Sequence, residues 1–197
     1  LDNYIHCLIH LGMSGTLHLI NYKKNEKITN MSFYHSKILP VKHNHIKIKF
    51  SKFMIVYNDP RRFGFFKILK NEKELKNFFK RSGPEAISSD FNLKYIQNKF
   101  SNKKKNIKNF LLDQNFVSGI GNIYASEILY LSKINPMKKA KLLNKNEQKK
   151  IIMNSKKVLF EAIKKGGSTI RDFKNTLGLK GNFQSSFKVY QREGLSC

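Results

Sequence analysis

At 197 residues with 40% hydrophobic content, the chain can bury one large core or two small ones. Its 38 Lys+Arg against 13 Asp+Glu give a formal charge of +25, which argues against an ordinary enzyme of neutral metabolites and for a polyanionic partner. Two cysteines are too few for a disulfide framework, no apolar run reaches membrane-spanning length and no leader opens the sequence, so a reduced cytoplasmic setting with no membrane is expected. Lysine supplies 33 of the cations and arginine only five, at 61, 62, 81, 171 and 192. In a chain whose default cation is lysine, each arginine marks a place that wants a planar, forked guanidinium.

Residues 4–11 (YIHCLIHL) alternate and are β-rich, which predicts a strand; Gly12-Met13-Ser14-Gly15 breaks it and residues 16–20 resume it. Met13 is either a buried filler or an exposed thioether, and spacing alone does not choose. Residues 22–36 read as a polar loop. His43 and His45 precede a period-two strand at 46–50 with one lysine face; with no third ligand nearby, they suit a polar strand start or a phosphate contact better than a metal. A strand at 53–57 exits through Asn58-Asp59-Pro60-Arg61-Arg62-Phe63-Gly64, whose tip carries two arginines and a phenylalanine that are costly to leave in water. A strand at 65–69 and a short amphipathic helix at 72–81 follow. Residues 82–90 (SGPEAISSD) mark the boundary between a β-rich and a helical half.

The second half centres on residues 106–136. Ile107, Phe110, Leu111 and Leu112 predict a helix ending at Asp113, and the turn 114–121 holds two glycines. Asn122 is placed to cap a second helix with Ile123, Ile128, Leu129 and Leu131 on its apolar face and Pro136 at its end. Glycines at a helix start offer backbone N–H groups to a phosphate, and Lys103-Lys104-Lys105 and Lys108 lie just upstream, so the hairpin reads as phosphate-gripping. A long basic helix at 147–165 stops at Gly166-Gly167. Residues 168–183 form a polar loop suited to a mobile cover, and residues 188–197 (KVYQREGLSC) read as a strand and turn leading to a lone cysteine.

Six segments in order then resemble one family: His10-Leu-Gly-Met-Ser-Gly15, Asp59-Pro-Arg-Arg-Phe-Gly64, Gly83-Pro-Glu85, Gly119-Ile-Gly-Asn-Ile-Tyr-Ala-Ser-Glu127, Gly166-Gly-Ser-Thr-Ile-Arg-Asp-Phe173 and Val189-Tyr-Gln-Arg-Glu-Gly194. They are similar to bacterial formamidopyrimidine-DNA glycosylase over nearly the whole chain. The resemblance implies an α+β fold: a partial N-terminal β-sandwich catalytic domain (1–84), a helical domain with a helix–two-turn–helix motif and a lesion-capping loop (85–180), and the start of a zinc-finger hairpin (181–197). It implies a monomer that acts on damaged double-stranded DNA, removing 8-oxoguanine and formamidopyrimidines and nicking the abasic strand by β,δ-elimination through a Schiff base. Flipping the lesion out of the stack costs a few kcal/mol and leaves a vacancy. By resemblance Met13 fills it, Phe63 wedges the adjacent step and Arg61 hydrogen-bonds the orphaned cytosine. Phosphates would be held by His10, His43, Arg62, Lys103 and Asn122, with Lys108 near the lesion and Arg171 reading the flipped base.

The departures carry their own expectations. The family's proline nucleophile, the glutamate after it and a catalytic lysine have no counterpart from Leu1 onward. Cys197 matches the first of four Zn2+ ligands, and the other three, with the arginine of the final elimination, lie past it. The chain therefore reads as a piece of a longer enzyme and as inactive by itself. The competing readings are an endonuclease VIII-like glycosylase for oxidised pyrimidines, disfavoured by Met13 with Arg61 and Phe63, and a non-catalytic basic nucleic-acid-binding protein.

Overall fold

A computed structural model describes residues 5–22, 27–29, 41–101, 104–168 and 181–196. The architecture is mixed α+β, in two compact units: Leu1–Phe78 with Gly166–Gln184, and Phe79–Lys165 with Ser185–Cys197.

The first unit is built from antiparallel strands. β1 (His6–His10) pairs with β6 (Phe65–Leu69), from His6 opposite Leu69 to His10 opposite Phe65. The second sheet has the order β3-β2-β5-β4, formed by Lys27–Thr29, Thr16–Asn21, Phe53–Asn58 and Asn44–Lys49. β3 lies inside the stretch read from sequence as a loop: it pairs with β2, placing Ile28 opposite Leu19, and three residues are too few for an alternation to show. On β4 the lysines 47 and 49 face outward while Ile46 and Ile48 are half-buried, the alternation that a one-sided sheet demands. Thr16 and His18 share a face of β2, and the Thr16 hydroxyl lies 2.6 Å from the His18 ring, so this sheet buries a polar pair beside Val56 and Tyr57. Helix α1 (Glu72–Phe79) follows β6, with Phe65 6.1 Å from Phe78 between ring centroids.

The second unit is helical: α2 (Leu93–Phe100), α3 (Ile107–Leu111), α4 (Asn122–Ser132) and α5 (Lys145–Lys164). Asparagine begins three of them. Asn92 accepts from the Tyr95 amide, Asn106 from Asn109, and Asn144 forms a capping box with Glu147. The core is a chain of rings, Phe91, Phe100, Phe110 and Phe116, with Phe110 and Phe116 edge-to-face at 4.6 Å, continued by Ile96, Ile107, Leu111, Ile128, Leu129, Ile151 and Val158. Gly83 and Pro84 are tied to the turn of the hairpin: the Gly83 amide donates to the Gln114 carbonyl, and Ser118 returns bonds to the Gly83 and Pro84 carbonyls.

Three sequence expectations change here. The N-cap of α4 is Gly121, with no side-chain capping bond, and Asn122 is the first helical residue. α4 ends at Ser132, with Lys133 in the left-handed region, before Pro136 is reached. Residues 188–196 form bends and turns instead of a strand. The amides of Lys188, Val189 and Tyr190 are taken by the Glu127 carboxylate, which leaves them unavailable to a strand ladder.

Candidate functional site

The first cluster sits in the first unit, on two turns. Residues 11–15 connect β1 to β2, and residues 59–64 connect β5 to β6. Each turn needs glycine. Gly12 has φ +59, and a Cβ there would stand 2.7 Å from the Phe63 carbonyl carbon; at Gly64 a Cβ would stand 2.4 Å from the His10 carbonyl oxygen. The two backbones therefore lie in contact. Asp59, fully buried, locks them. Its carboxylate accepts from Ser14 Oγ at 2.5 Å, from Tyr57 Oη at 3.1 Å and from the Gly64 amide at 2.9 Å, while Ser14 Oγ accepts from the Arg61 amide at 3.2 Å. Burial alone would raise the Asp59 carboxyl, but hydrogen bonds from Ser14, the Gly64 amide, Tyr57 and the Arg61 amide outweigh it and hold the pKa below its ordinary 3.8. Burial, and then the hydrogen bond and charge of Asp59, push the Tyr57 hydroxyl up to about 12.

On this frame Met13 and Phe63 stand 57% and 56% exposed. The alternative of a buried Met13 is thereby removed. Arg61 is exposed, with its guanidinium carbon 4.6 Å from the centre of the Phe63 ring. Arg62 is exposed in the left-handed region at φ 56. His10, exposed at the end of β1, stacks on Phe65 at 5.3 Å and accepts the Gly12 amide on Nδ1. His43 lies in a short 3-10 turn and its carbonyl accepts the Asp59 amide, and His45 Nε2 is 2.8 Å from the Asp59 carbonyl. The sequence-predicted Met13, Arg61, Arg62 and Phe63 thus share one pair of turns, and His10 ends the strand that leads into the first of them.

The second cluster lies in the second unit. Lys108 and Asn122 line one cleft of about 600 Å3, with Ser126, Tyr130, Lys133 and Tyr190 among its other walls. Gly119 contributes less than the sequence suggests: its amide donates to Gln114 Oε1 at 3.1 Å, and Gln114 Nε2 returns a bond to the Ile120 carbonyl. The uncapped start of α4 remains, and a Cβ at Gly119 or Gly121 would meet nothing within 4 Å. Lys105 pairs with Asp113 at 3.2 Å. Lys103, Arg171 and Cys197, with Phe173 and most of the loop 168–183, lie outside the described residues. Among the described residues no three His, Cys, Asp or Glu side chains gather as a metal site, and no helix is long and apolar enough to cross a membrane.

Sequence reasoning passed over Ser14, Asp59, Glu127 and Tyr190. A signal existed. Where acids number 13 against 38 cations, an acid inside a motif is as informative as an arginine among lysines, and Asp59 and Glu127 both sit inside quoted motifs.

Two family models match the chain: "Formamidopyrimidine-DNA glycosylase N-terminal domain" over residues 1–66 and "Formamidopyrimidine-DNA glycosylase H2TH domain" over residues 82–174. The formamidopyrimidine-DNA glycosylase of Legionella pneumophila (strain Lens) is 38% identical over 191 residues, covering 96% of this chain and 65% of the relative. That of the Wolbachia of Brugia malayi is 40% identical over 198 residues, covering all of this chain and 68% of the relative. Among solved structures, a Lactococcus lactis FPG mutant in complex with a Fapy-dG containing DNA superposes with a TM-score of 0.81 at 31% identity, over 98% of this chain and 66% of that one. The Lactococcus lactis Fpg with an abasic site containing DNA gives 0.78 at 32% identity, over 95% of this chain and 64% of that one. The chain spans 65% of the length of the first of these relatives. With both family models matched and a relative 40% identical over all of this chain, the chain belongs to the formamidopyrimidine-DNA glycosylase family.

Proposed function

We propose that a chain of the relatives' length is a base-excision-repair enzyme that removes oxidised purines from duplex DNA and nicks the resulting abasic strand, and that these 197 residues supply its lesion-handling and backbone-gripping surfaces. The observation that carries this is the exposure of Met13, Arg61 and Phe63 together on turns fixed by the buried Ser14–Asp59 bond. A soluble protein gains nothing from holding a thioether and a phenyl ring in water on a rigid frame. A DNA duplex that has lost a base from its stack offers both an apolar slot and an unpaired base edge.

On this reading Met13 enters the vacancy, Phe63 wedges the neighbouring step, and Arg61 turns its fork to the acceptors of the orphaned base. Resting over the Phe63 ring pre-orients that guanidinium. His10, His43 and Arg62 hold phosphates on this side; Lys108, Asn122 and Tyr190 hold them in the α4 cleft, where the uncapped helix start adds partial positive charge. Lys103 and Arg171 belong to the same proposal. Zinc is proposed for the longer chain only, with Cys197 as its one candidate ligand here. A cytoplasmic monomer is proposed with it.

The test is excision by a chain of the relatives' length on duplexes carrying 8-oxoguanine or thymine glycol, with borohydride trapping on abasic DNA. Release of 8-oxoguanine with a trapped complex supports the reading. Preference for thymine glycol would move the enzyme to oxidised pyrimidines, and absence of both excision and trapping would leave a binding protein.

A further inference from the structure

Glu127 is a buried carboxylate on a chain poor in acids. It is 3% exposed, in the middle of α4, and its partners are three successive backbone amides: Lys188 donates to Oε2 at 2.9 Å, and Val189 and Tyr190 donate to Oε1 at 3.0 and 2.9 Å. A carboxylate has about four acceptor positions and no donor, so three converging N–H groups suit it and no neutral side chain of its size. Residues 188–196 have no regular structure, so nothing in their own fold fixes where they lie. Yet the last anchored residue, Tyr190, lines the cleft that also contains Asn122 and Lys108, and Gln191 beside it turns at φ 58. Asn122 and Glu127 are five residues apart on one helix. One helix thus presents Asn122 at its open end and, through Glu127, holds the segment that brings Tyr190 to the same cleft.

We propose that Glu127 is a positioning residue for DNA binding: it nails residues 188–190 to α4 and so sets Tyr190 across from Asn122 and Lys108. This rests on the reading of the cleft as a DNA-backbone site, and its test separates the two. The experiment is a double-mutant cycle of Glu127→Gln with Tyr190→Ala in the full-length protein, reading affinity for abasic duplex, with Asn122→Ala as the control for the cleft. Gln keeps the volume but offers one oxygen and turns an amino group toward an amide.

Glu127→Gln should weaken binding about tenfold in the native background and less than about twofold further when Tyr190 is already Ala, since residues acting as a unit are non-additive. Hydrogen exchange should show the amides of 188–190 losing protection in Glu127→Gln. Equal losses in both backgrounds would mean that Glu127 acts through general stability, and the proposal falls. Lost amide protection with unchanged affinity, while Asn122→Ala still weakens binding, overturns the proposal and leaves the cleft reading intact. Unchanged affinity in both Asn122→Ala and Tyr190→Ala removes the cleft reading, and the proposal with it.

Discussion

Ser14 Oγ lies 2.5 Å from Asp59 Oδ1, and the bond spans 45 residues of sequence. Together with the Arg61 amide bond to Ser14 Oγ, it holds the turn bearing Met13 to the turn bearing Arg61 and Phe63. Replacing Asp59 with Ala leaves the Ser14 and Tyr57 hydroxyls and the Gly64 amide buried without their acceptor. The expected loss is about 2–4 kcal/mol of unfolding free energy, the range for breaking a buried, charge-assisted network, read from the midpoint of urea unfolding. Ser14→Ala, which removes one arm, should cost about 1 kcal/mol. A loss in Asp59→Ala no larger than that in Ser14→Ala would show that the network does not lock the turns.

The same network fixes two pH limits of stability. The folded pKa of Asp59 lies below its ordinary 3.8. Its contribution is therefore fully present above that ordinary value and is lost as pH falls through the depressed one. The Tyr57 pKa is raised from 10.0 to about 12, so its contribution is present below pH 10 and lost as pH rises toward 12. Asp59→Asn should flatten the acid limb of the stability curve relative to the unmodified protein, and Tyr57→Phe the alkaline limb. Urea midpoints across pH 2–5 and 9–12 measure both, and unchanged slopes would refute the assignment.

Glycine replacements in the two clusters should behave differently. Gly12→Ala puts a Cβ 2.7 Å from the Phe63 carbonyl carbon and Gly64→Ala puts one 2.4 Å from the His10 carbonyl oxygen, both backbone atoms, so the chain segments must separate. A loss of about 2–3 kcal/mol is expected from such overpacking. Gly119→Ala meets open space, and only its φ of +87 is strained, which costs about 1 kcal/mol. Equal losses at all three positions, in the same unfolding experiment, would contradict the close approach of the first pair.

Most strands and helices of both units are legible in the sequence because their signals are local. Residues 46–49 alternate isoleucine and lysine, residues 107–111 show a helical stripe, and Gly166-Gly167 halts a long helix. What was not legible depends on partners distant in sequence. β3 exists because β2 offers it a ladder; the cap of α4, on Gly121 instead of Asn122, is a different kind of miss, a one-residue helix boundary that composition does not resolve. The expected strand at 188 fails because Glu127, sixty-odd residues away, takes its amides. At the site, the exposed groups could be named from residue type, since an arginine among lysines is a local anomaly. The acids that hold the frame could not be placed, because a carboxylate on a turn reads equally as a solvated charge until Ser14 and Tyr57 are seen to donate to it.

Arg61 offers the sharpest test of the lesion-handling surface. If its fork reads the orphaned base, Arg61→Ala should cut discrimination for the base opposite the lesion by about 10–100-fold, the worth of one bidentate base contact, while binding to abasic duplex falls less. Arg61→Lys should recover charge without recovering discrimination. Excision rates against each of the four opposing bases provide the comparison. Parallel losses in discrimination and in abasic binding would make Arg61 a general phosphate contact.

Lysines should divide by their surroundings, and salt dependence can sort them. Each cation that neutralises a duplex phosphate adds about 0.9 to the slope of log affinity against log salt. Lys108 lines the α4 cleft, so Lys108→Ala should lower that slope by about 0.9 and weaken binding alike on damaged and undamaged duplexes. Lys105 is already held 3.2 Å from Asp113, and a cation engaged by a carboxylate releases no counterion from DNA. Lys105→Ala should leave the slope unchanged. Titrations between low and physiological salt decide it: a slope that falls equally for both lysines would mean the charge on this face acts as a diffuse field, with the cleft contributing no particular grip.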